Sequence, residues 1–249
     1  MKQGFVHTEN YRRLLEAQAA VERRGAAEAG LVIIRGPYGV GKSEIVERWS
    51  ADTGALFLRA KETWTKRSML DELADLLGLD IKGRNSEVQA RIIGRQAIDM
   101  TNIVIDEADF LLRGRGSTST AALLECLRDI TDVTGIACFL VGMEQFGDRV
   151  ARHGHIASRV NRVVNFEPLS SADIKAACKQ KCEVKLGDGV AELIASQVDG
   201  KMRLVLNALS NIEQIAEANS LDQVEVEHLK GRALCVEFKS GAVRRGGAQ

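Results

Sequence analysis

The sequence feature that most constrains the fold is a glycine-rich stretch near residue 40. Residues 36–43 follow the pattern G-x-x-x-x-G-K-S, directly after the apolar run 31–34 and before a helical pattern that begins at Glu44. Glycines let consecutive backbone N–H groups surround a phosphate, and the N-terminus of the following helix adds a positive dipole. The spacing therefore predicts a nucleotide-phosphate site between a buried strand and a helix. The residues assigned to this site are Gly36, Pro37, Tyr38, Gly39, Val40, Gly41, Lys42, Ser43 and Glu44.

Four residues are expected to have specific chemical roles at this site. Lys42 is expected to reach the β- and γ-phosphates of ATP, and Ser43 to give a hydroxyl ligand to Mg²⁺. Downstream, the apolar run 103–105 ends in two adjacent carboxylates, Asp106 and Glu107. Phosphoryl transfer needs one carboxylate at the metal ion and one at the attacking water. We therefore expect Asp106 to hold Mg²⁺ through water and Glu107 to orient and deprotonate the attacking water.

Hydrophobic patterns along the chain predict an α/β fold. Short apolar runs alternate with helical periodicities, which is typical of a parallel five-stranded sheet flanked by helices, and Thr8 is expected to cap the first helix. After Pro168 only helical patterns remain, so a small C-terminal helical lid domain is predicted. Its four predicted helices cover Ala172–Cys182, Val190–Val198, Met202–Ala218 and Val224–Phe238. The resulting division is a nucleotide-binding domain over 1–167, a lid over 168–238 and a flexible basic tail over 239–249.

The composition limits the classes of protein to which the chain can belong. Acidic and basic residues are equal in number, 34 each, so any nucleic-acid contact has to come from a local patch. The five cysteines lie in apolar or helical patterns, which favours reduced thiols. No segment approaches 18 uninterrupted apolar residues, and the start of the sequence lacks a signal-peptide pattern. We therefore expect a cytoplasmic protein without membrane contact.

A basic stretch with one aromatic residue follows the second predicted strand and leads into a helix predicted over Ser68–Leu79. Its candidate DNA-binding residues are Lys61, Thr63, Trp64, Thr65, Lys66 and Arg67. Lysine, arginine and threonine suit phosphate contacts, which set register without reading sequence. The alternative interpretation is a solvated helix entrance anchored by Trp64, because charge runs are usually solvated surface.

The combined pattern resembles the AAA+ ATPases over nearly the whole chain. The resemblance rests on the phosphate loop after the first strand, the Asp-Glu pair ending the third, and the helical lid. It implies that an arginine just before the last strand completes the site of an adjacent subunit, and Arg159 stands there, with Arg162 as the second candidate. It also implies that Arg203, in Gly-Lys-Met-Arg, contacts the nucleotide from within the same chain. Ordinary surface ion pairs are the alternative for both arginines.

One position departs from the family pattern. AAA+ proteins usually carry a polar sensor residue just after the fourth strand, where this chain has Gly142 followed by Met143. Either Glu144 or a water takes over that task, or hydrolysis is slow unless a partner stimulates it.

Within the AAA+ group, the sequence looks most like the transposition regulators MuB, TnsC and TniB. The residues that carry this likeness are the run Asp-Glu-Ala-Asp from Asp106, Val-Gly-Met-Glu from Val141, and the Ser-Arg pair ending at Arg159. The resemblance implies ATP-dependent oligomers or helical filaments on double-stranded DNA of any sequence in a bacterial cytoplasm. Such assemblies recruit or activate a transposase, which stimulates hydrolysis.

Two other hypotheses stay open. An AAA+ replication initiator, helicase loader or secretion-type protein would act mainly on a protein partner. A phosphate-loop binding module with negligible turnover would agree with Met143 at the sensor position.

Overall fold

The computed structural model describes residues 1–112 and 121–237, so the predicted tail over 239–249 lies outside the described residues. The chain divides into two compact units. Of the described residues, the larger unit contains Arg13–Gly36 and Lys42–Phe166, and the smaller one contains Met1–Arg12, Pro37–Gly41 and those that follow from Glu167. Phe166 is therefore the last residue of the larger unit, next to the boundary predicted at 167. The sequence patterns did not indicate that two N-terminal segments belong to the smaller unit.

A parallel sheet of five strands forms the centre of the larger unit, as the sequence predicts. The strands are β1 (Leu31–Arg35), β2 (Leu56–Arg59), β3 (Ile103–Asp106), β4 (Cys138–Gly142) and β5 (Val160–Asn165). Their order across the sheet is β2-β3-β4-β1-β5, and all four pairings are parallel. The apolar residues of β1, β3 and β4 are fully or almost fully buried, which explains their continuous apolar runs.

Helices connect these strands and flank the sheet. They are α1 (Glu9–Glu22), α2 (Lys42–Thr53), α3 (Lys66–Leu76), α4 (Asn85–Asp99), α5 (Ala122–Thr134), α6 (Phe146–Ala151) and α7 (Gly154–Ala157), with a 3₁₀ helix at Ala108–Leu112. Thr8 caps α1 as expected, because its hydroxyl accepts a hydrogen bond of 3.4 Å from the backbone N–H of Tyr11. The fold class predicted from the sequence is confirmed.

The start of α3 differs from the prediction. The helix begins at Lys66, two residues before the predicted Ser68, and ends at Leu76. Thr65 is the N-cap: its hydroxyl accepts from the Ser68 N–H at 3.1 Å, and the Ser68 hydroxyl accepts from the Thr65 N–H at 2.8 Å. This reciprocal capping box engages the hydroxyl of Thr65, which the sequence pattern had assigned to DNA binding, and that of Ser68.

The smaller unit contains three of the four predicted lid helices. They are α8 (Ser171–Lys181), α9 (Val190–Gln197) and α10 (Met202–Ala218). The helix predicted over Val224–Phe238 is wrong. Strand β7 (Gln223–Val224) pairs there with β6 (Lys185–Leu186), and a 3₁₀ turn at Val226–Leu229 follows. Gly231 then takes a positive φ of 70°, and the buried Leu229 and Leu234 join the apolar core of this unit without a helix between them.

All five cysteines are buried free thiols, and burial raises the pKa of Cys138 to about 12. This agrees with the expectation of reduced thiols. Within the described ranges, no helix has the length and apolarity needed to cross a bilayer.

We predict that Trp49→Ala lowers the free energy of unfolding of the larger unit by about 3–5 kcal/mol. The Trp49 ring is fully buried, packs edge-on against Phe139 at 4.6 Å between centroids, and donates its indole N–H to Gln18 at 2.7 Å. The matched control is Ile98→Ala, whose side chain is 80% exposed, with an expected change within about 0.5 kcal/mol. Urea unfolding followed by circular dichroism measures both, and equal effects would contradict the burial argument.

Candidate nucleotide site

The phosphate loop has the backbone shape that its sequence predicts. Gly39 and Gly41 take φ values of 82° and 91°, which L-residues with side chains rarely adopt. Gly36 needs to be glycine for a different reason, since a Cβ there would overlap the carbonyl oxygen of Phe166. Helix α2 begins at Lys42, so the loop runs directly into a helix N-terminus. These features suit a loop whose backbone N–H groups receive a phosphate.

The Lys42 ammonium has an acidic environment. It donates a hydrogen bond of 2.7 Å to the carbonyl oxygen of Gly36. Burial lowers the pKa of Lys42, and the negative charges of Asp106, Glu107, Asp109 and Glu144 oppose that shift. Lys42 therefore lies within electrostatic reach of both residues of the predicted Asp-Glu pair, as the motif spacing requires.

Asp106 and Glu107 differ sharply in exposure and backbone conformation. Asp106 is the last residue of β3 and is 3% exposed, whereas Glu107 is exposed. Glu107 has a φ of 55°, a left-handed conformation that is uncommon for a residue with a side chain. Two hydrogen bonds hold it: its N–H donates to Asp106 Oδ1 at 2.9 Å, and its carbonyl accepts from the Phe110 N–H at 3.0 Å. Such strain is often found at functional positions.

The residues present fit a magnesium ion. Mg²⁺ prefers oxygen ligands and usually keeps several waters, so a hydroxyl and one or two carboxylates suffice. Ser43 lies in the first turn of α2, and Asp106 offers a buried carboxylate at the end of β3. No cluster of three or more His, Cys, Asp or Glu side chains suited to a metal occurs in the described ranges.

Arg59 is a site residue that the sequence patterns did not reveal. It ends β2 and is the register partner of Asp106 in the sheet. Its Nε donates to Asp106 Oδ2 at 3.3 Å, and its Nη2 lies 3.7 Å from Glu47 Oε2. The Asp106 carboxylate thus accepts from one backbone donor and one guanidinium. Only the pairing of β2 with β3 brings these residues together, and no local motif indicates that pairing.

The two candidates for an arginine that acts on an adjacent subunit have different surroundings. Arg159 Nε donates to both carboxylate oxygens of Asp132, at 3.1 and 3.0 Å, and its side chain is 33% exposed. Arg162 lies on β5 and is exposed, and its guanidinium has no ion pair or hydrogen bond within the described part of the chain. Arg159 is therefore oriented by its own chain, whereas Arg162 is not.

The Gly-Lys-Met-Arg segment of the smaller unit contacts the phosphate loop through its backbone and a lysine stem. The Arg203 N–H donates to the carbonyl of Gly39 at 3.2 Å, and the Arg203 side chain is exposed. The stem of Lys201 lies so close that a Cβ on Gly39 would be 3.4 Å from the Lys201 Cβ. The Lys201 ammonium pairs with Glu237. The sequence patterns singled out Arg203 here, but not Lys201 or Glu237.

The candidate DNA-binding stretch is largely engaged in contacts within the larger unit. Trp64 is 9% exposed in the core and donates its indole N–H to Glu72 at 3.0 Å, which the Lys61 ammonium also contacts at 2.7 Å. Thr65 caps α3, and Arg67 pairs with Asp71 at 2.8 Å. Thr63 is exposed, and Lys66 is half-buried at the start of α3. Trp64 thus has the anchoring position of the alternative interpretation, and DNA binding by this stretch stays a prediction.

A protein-family model matches this chain. The family model described as "AAA domain" matches residues 24–150, just over half of the chain. The match includes the whole phosphate loop, Asp106, Glu107 and the end of β4. No curated protein sequence matches the chain significantly.

Several solved structures share the fold of this chain. Aeropyrum pernix ORC2, in ADPNP-ADP complexes, superposes with a TM-score of 0.69 at 16% identity, over 92% of this chain and 69% of that one. Aeropyrum pernix ORC1 in complex with DNA gives 0.59 at 22% identity, over 92% and 65%. The Thermotoga maritima RuvB Holliday junction branch migration motor gives 0.59 at 17% identity, over 92% and 70%. The chain spans about two thirds of the length of these structures, and identities this low establish a common fold alone.

We predict that Glu107→Gln reduces ATP turnover at least about 10²-fold while ATP affinity changes less than about threefold. The amide keeps the shape of the side chain but accepts no proton, and general-base catalysis typically contributes 10²–10⁴-fold. Phosphate release and the binding of a fluorescent ATP analogue measure the two quantities. Glu217→Gln, at an exposed position of α10, is the matched control and should change neither. Equal turnover in the two variants would contradict the role of Glu107.

Proposed function

The chain belongs to the AAA domain family, and from this premise we propose that it is an ATPase whose nucleotide state controls its assembly on double-stranded DNA. The observation that carries the proposal is the position of Lys42 at the end of the glycine loop, within electrostatic reach of Asp106 and Glu107. In hydrolysis, a water oxygen bonds to the γ-phosphorus while the bond to the β,γ-bridging oxygen breaks, and ADP leaves. Glu107 accepts the proton of the water.

The remaining site residues bind and orient the nucleotide. The backbone N–H groups of residues 38–42 and the Lys42 ammonium bind the phosphates. Ser43 and Asp106 would hold Mg²⁺, which neutralises phosphate charge when bound. Arg203 contacts the nucleotide from its own chain, and Arg159 reaches the γ-phosphate of an adjacent subunit in a homo-oligomer. An arginine supplied in this way makes hydrolysis depend on assembly, because it stabilises charge that one subunit cannot neutralise alone.

We further propose that the biological role is regulation of DNA transposition. ATP-bound oligomers or helical filaments form on target DNA without sequence preference and recruit a transposase that stimulates hydrolysis. The support for this finer assignment is the sequence resemblance to MuB, TnsC and TniB. The second candidate is a replication-initiator or helicase-loader role, and the likeness in fold to ORC1 and ORC2 favours it.

Electron microscopy of the protein with a DNA duplex separates these candidates. We expect filaments along the DNA with ATP or a slowly hydrolysed analogue, and none with ADP, because only the triphosphate completes the site between subunits. Discrete rings of fixed size formed with ATP and without DNA would support the initiator or loader role. Absence of assembly in either nucleotide would contradict both.

The DNA contact has its own test. We predict that Lys61→Gln combined with Lys66→Gln weakens DNA binding about tenfold or more in ATP and reduces its salt dependence by about two charges. Both substitutions leave Trp64 and the Thr65 cap in place. Lys179→Gln combined with Lys185→Gln, two exposed lysines of the smaller unit, is the matched control. Fluorescence anisotropy at several salt concentrations measures the affinities, and equal losses in the two double variants would argue against this stretch.

Mixing two variant proteins can identify the arginine that acts between subunits. We predict that Arg159→Ala reduces turnover about 10²-fold or more and that added Glu107→Gln protein restores part of it. The Arg159→Ala subunit keeps its own Glu107, and its Glu107→Gln neighbour supplies Arg159. Arg48→Ala, which removes only an exposed ion pair to Asp52, is the control. If added Glu107→Gln protein restores the turnover of Arg162→Ala but not that of Arg159→Ala, the role belongs to Arg162.

A further inference from the structure

The position where AAA+ proteins usually carry a polar sensor has a methionine in this chain, but its backbone is firmly bound. The Met143 N–H, just after β4, donates to Asp109 Oδ2 at 2.7 Å. Asp109 lies two residues beyond Glu107, in the 3₁₀ helix that follows β3. One carboxylate therefore joins the segments that follow two adjacent strands, β3 and β4.

An arginine holds that carboxylate from the other side. Arg149, on α6, donates from Nη1 to Asp109 Oδ1 at 3.0 Å. Its Nη2 lies 3.4 Å from the Asp109 carbonyl oxygen and 3.3 Å from that of Leu112, so the guanidinium spans the 3₁₀ helix. The side chains are mostly covered, with exposures of 30% for Arg149 and 12% for Asp109. Because the pair is partly buried, removing one member costs more stability than removing one member of an exposed ion pair.

Packing around the pair leaves little room for movement. A Cβ on Gly142 would lie 2.8 Å from Asp109 Oδ2 and 2.7 Å from the Cβ of Phe146. Gly142 has no positive φ, so the glycine is required for space and not for backbone conformation. On its far side, the same segment is held by Arg35, whose Nη1 donates to the carbonyl of Glu144 at 3.2 Å.

The carboxylates after β3 and β4 act electrostatically on Lys42. Lys42 interacts electrostatically with Asp109 and Glu144 as well as with the Asp106-Glu107 pair. Glu107 lies between Asp106 and the 3₁₀ helix in its left-handed conformation, and its carbonyl is bonded within the turn that contains Asp109. A shift of Asp109 would therefore move the backbone of Glu107.

We propose that Asp109 and Arg149 are positioning residues for hydrolysis, fixing the loop after β3 to the loop after β4 so that Glu107 is held at the attacking water. The inference rests on the proposed ATPase function. It assigns a catalytic consequence to two residues that act through the position of Glu107.

The test compares Asp109→Asn, Arg149→Met and the double variant. Asp109→Asn keeps the side-chain shape and an oxygen for the Met143 N–H while removing the charge that holds Arg149. We expect kcat to fall about 10²-fold in each single variant, as for a small misplacement of a catalytic group, with KM unchanged within about threefold. Because the two residues act as one unit, the double variant should be no slower than the slower single one.

A control variant and three possible results distinguish a failure of this inference from a failure of the proposed ATPase function. Asp52→Asn, which removes an exposed ion pair with Arg48 in the same unit, should leave kcat unchanged. If Asp109→Asn lowers the thermal midpoint but retains the kcat of the unaltered protein, the pair is structural only and the inference is wrong. Losses that multiply in the double variant would also overturn it. If the unaltered protein binds ATP but hydrolyses none, the ATPase proposal itself fails.

Discussion

The candidate site depends on the pairing of β1 with β4 and of β3 with β2 and β4, because parallel strands place their carboxyl ends at one edge of the sheet. Arg35 is paired with Gly142, and Arg59 with Asp106. The glycine loop leaves β1 at that edge, the Asp-Glu pair leaves β3, and Met143 leaves β4. If the register of one strand changed by one residue, the side chains of that strand would point to the opposite face of the sheet. The burial of the strands therefore supports the chemistry as well as the stability of the fold.

Electrostatics at this edge favour a divalent cation and a nucleotide together. Four carboxylates, those of Asp106, Glu107, Asp109 and Glu144, act on the single Lys42 ammonium. Arg59 and Arg149 offset part of that negative charge through Asp106 and Asp109. A triphosphate alone would meet carboxylate repulsion here, whereas a metal ion at Asp106 would compensate it. The arrangement thus explains why the motif pairs a lysine with carboxylates instead of using cations alone.

The sequence was sufficient to predict the sheet, the glycine loop and the Asp-Glu pair, because each depends on local periodicity or on spacing within one segment. It was insufficient where the outcome depends on contacts between distant segments. The apolar residues from Val224 predicted one helix over Val224–Phe238. Instead, Gln223 and Val224 pair with β6, and Gly231 takes a positive φ, so no such helix forms. Arg149 gave no signal either, since its contact with Asp109 forms only when α6 lies against the 3₁₀ helix. The same limit applies to Arg59, whose partner is set by strand pairing.

The basic stretch after β2 shows how internal contacts narrow a functional interpretation. Its composition suggested six DNA-binding residues, but Trp64, Thr65 and Arg67 have bonds that the larger unit needs for its own structure. Contact with a phosphate backbone would therefore fall to Lys61, Thr63 and Lys66. Lys61 would exchange an exposed ion pair with Glu72 for a phosphate, a change of small free-energy cost because such pairs contribute about 0–1 kcal/mol. Three residues per subunit make a weak contact, so tight binding along this surface would require many subunits on one duplex. A DNA contact of this size would suit the proposed oligomer, in which many subunits act on one duplex.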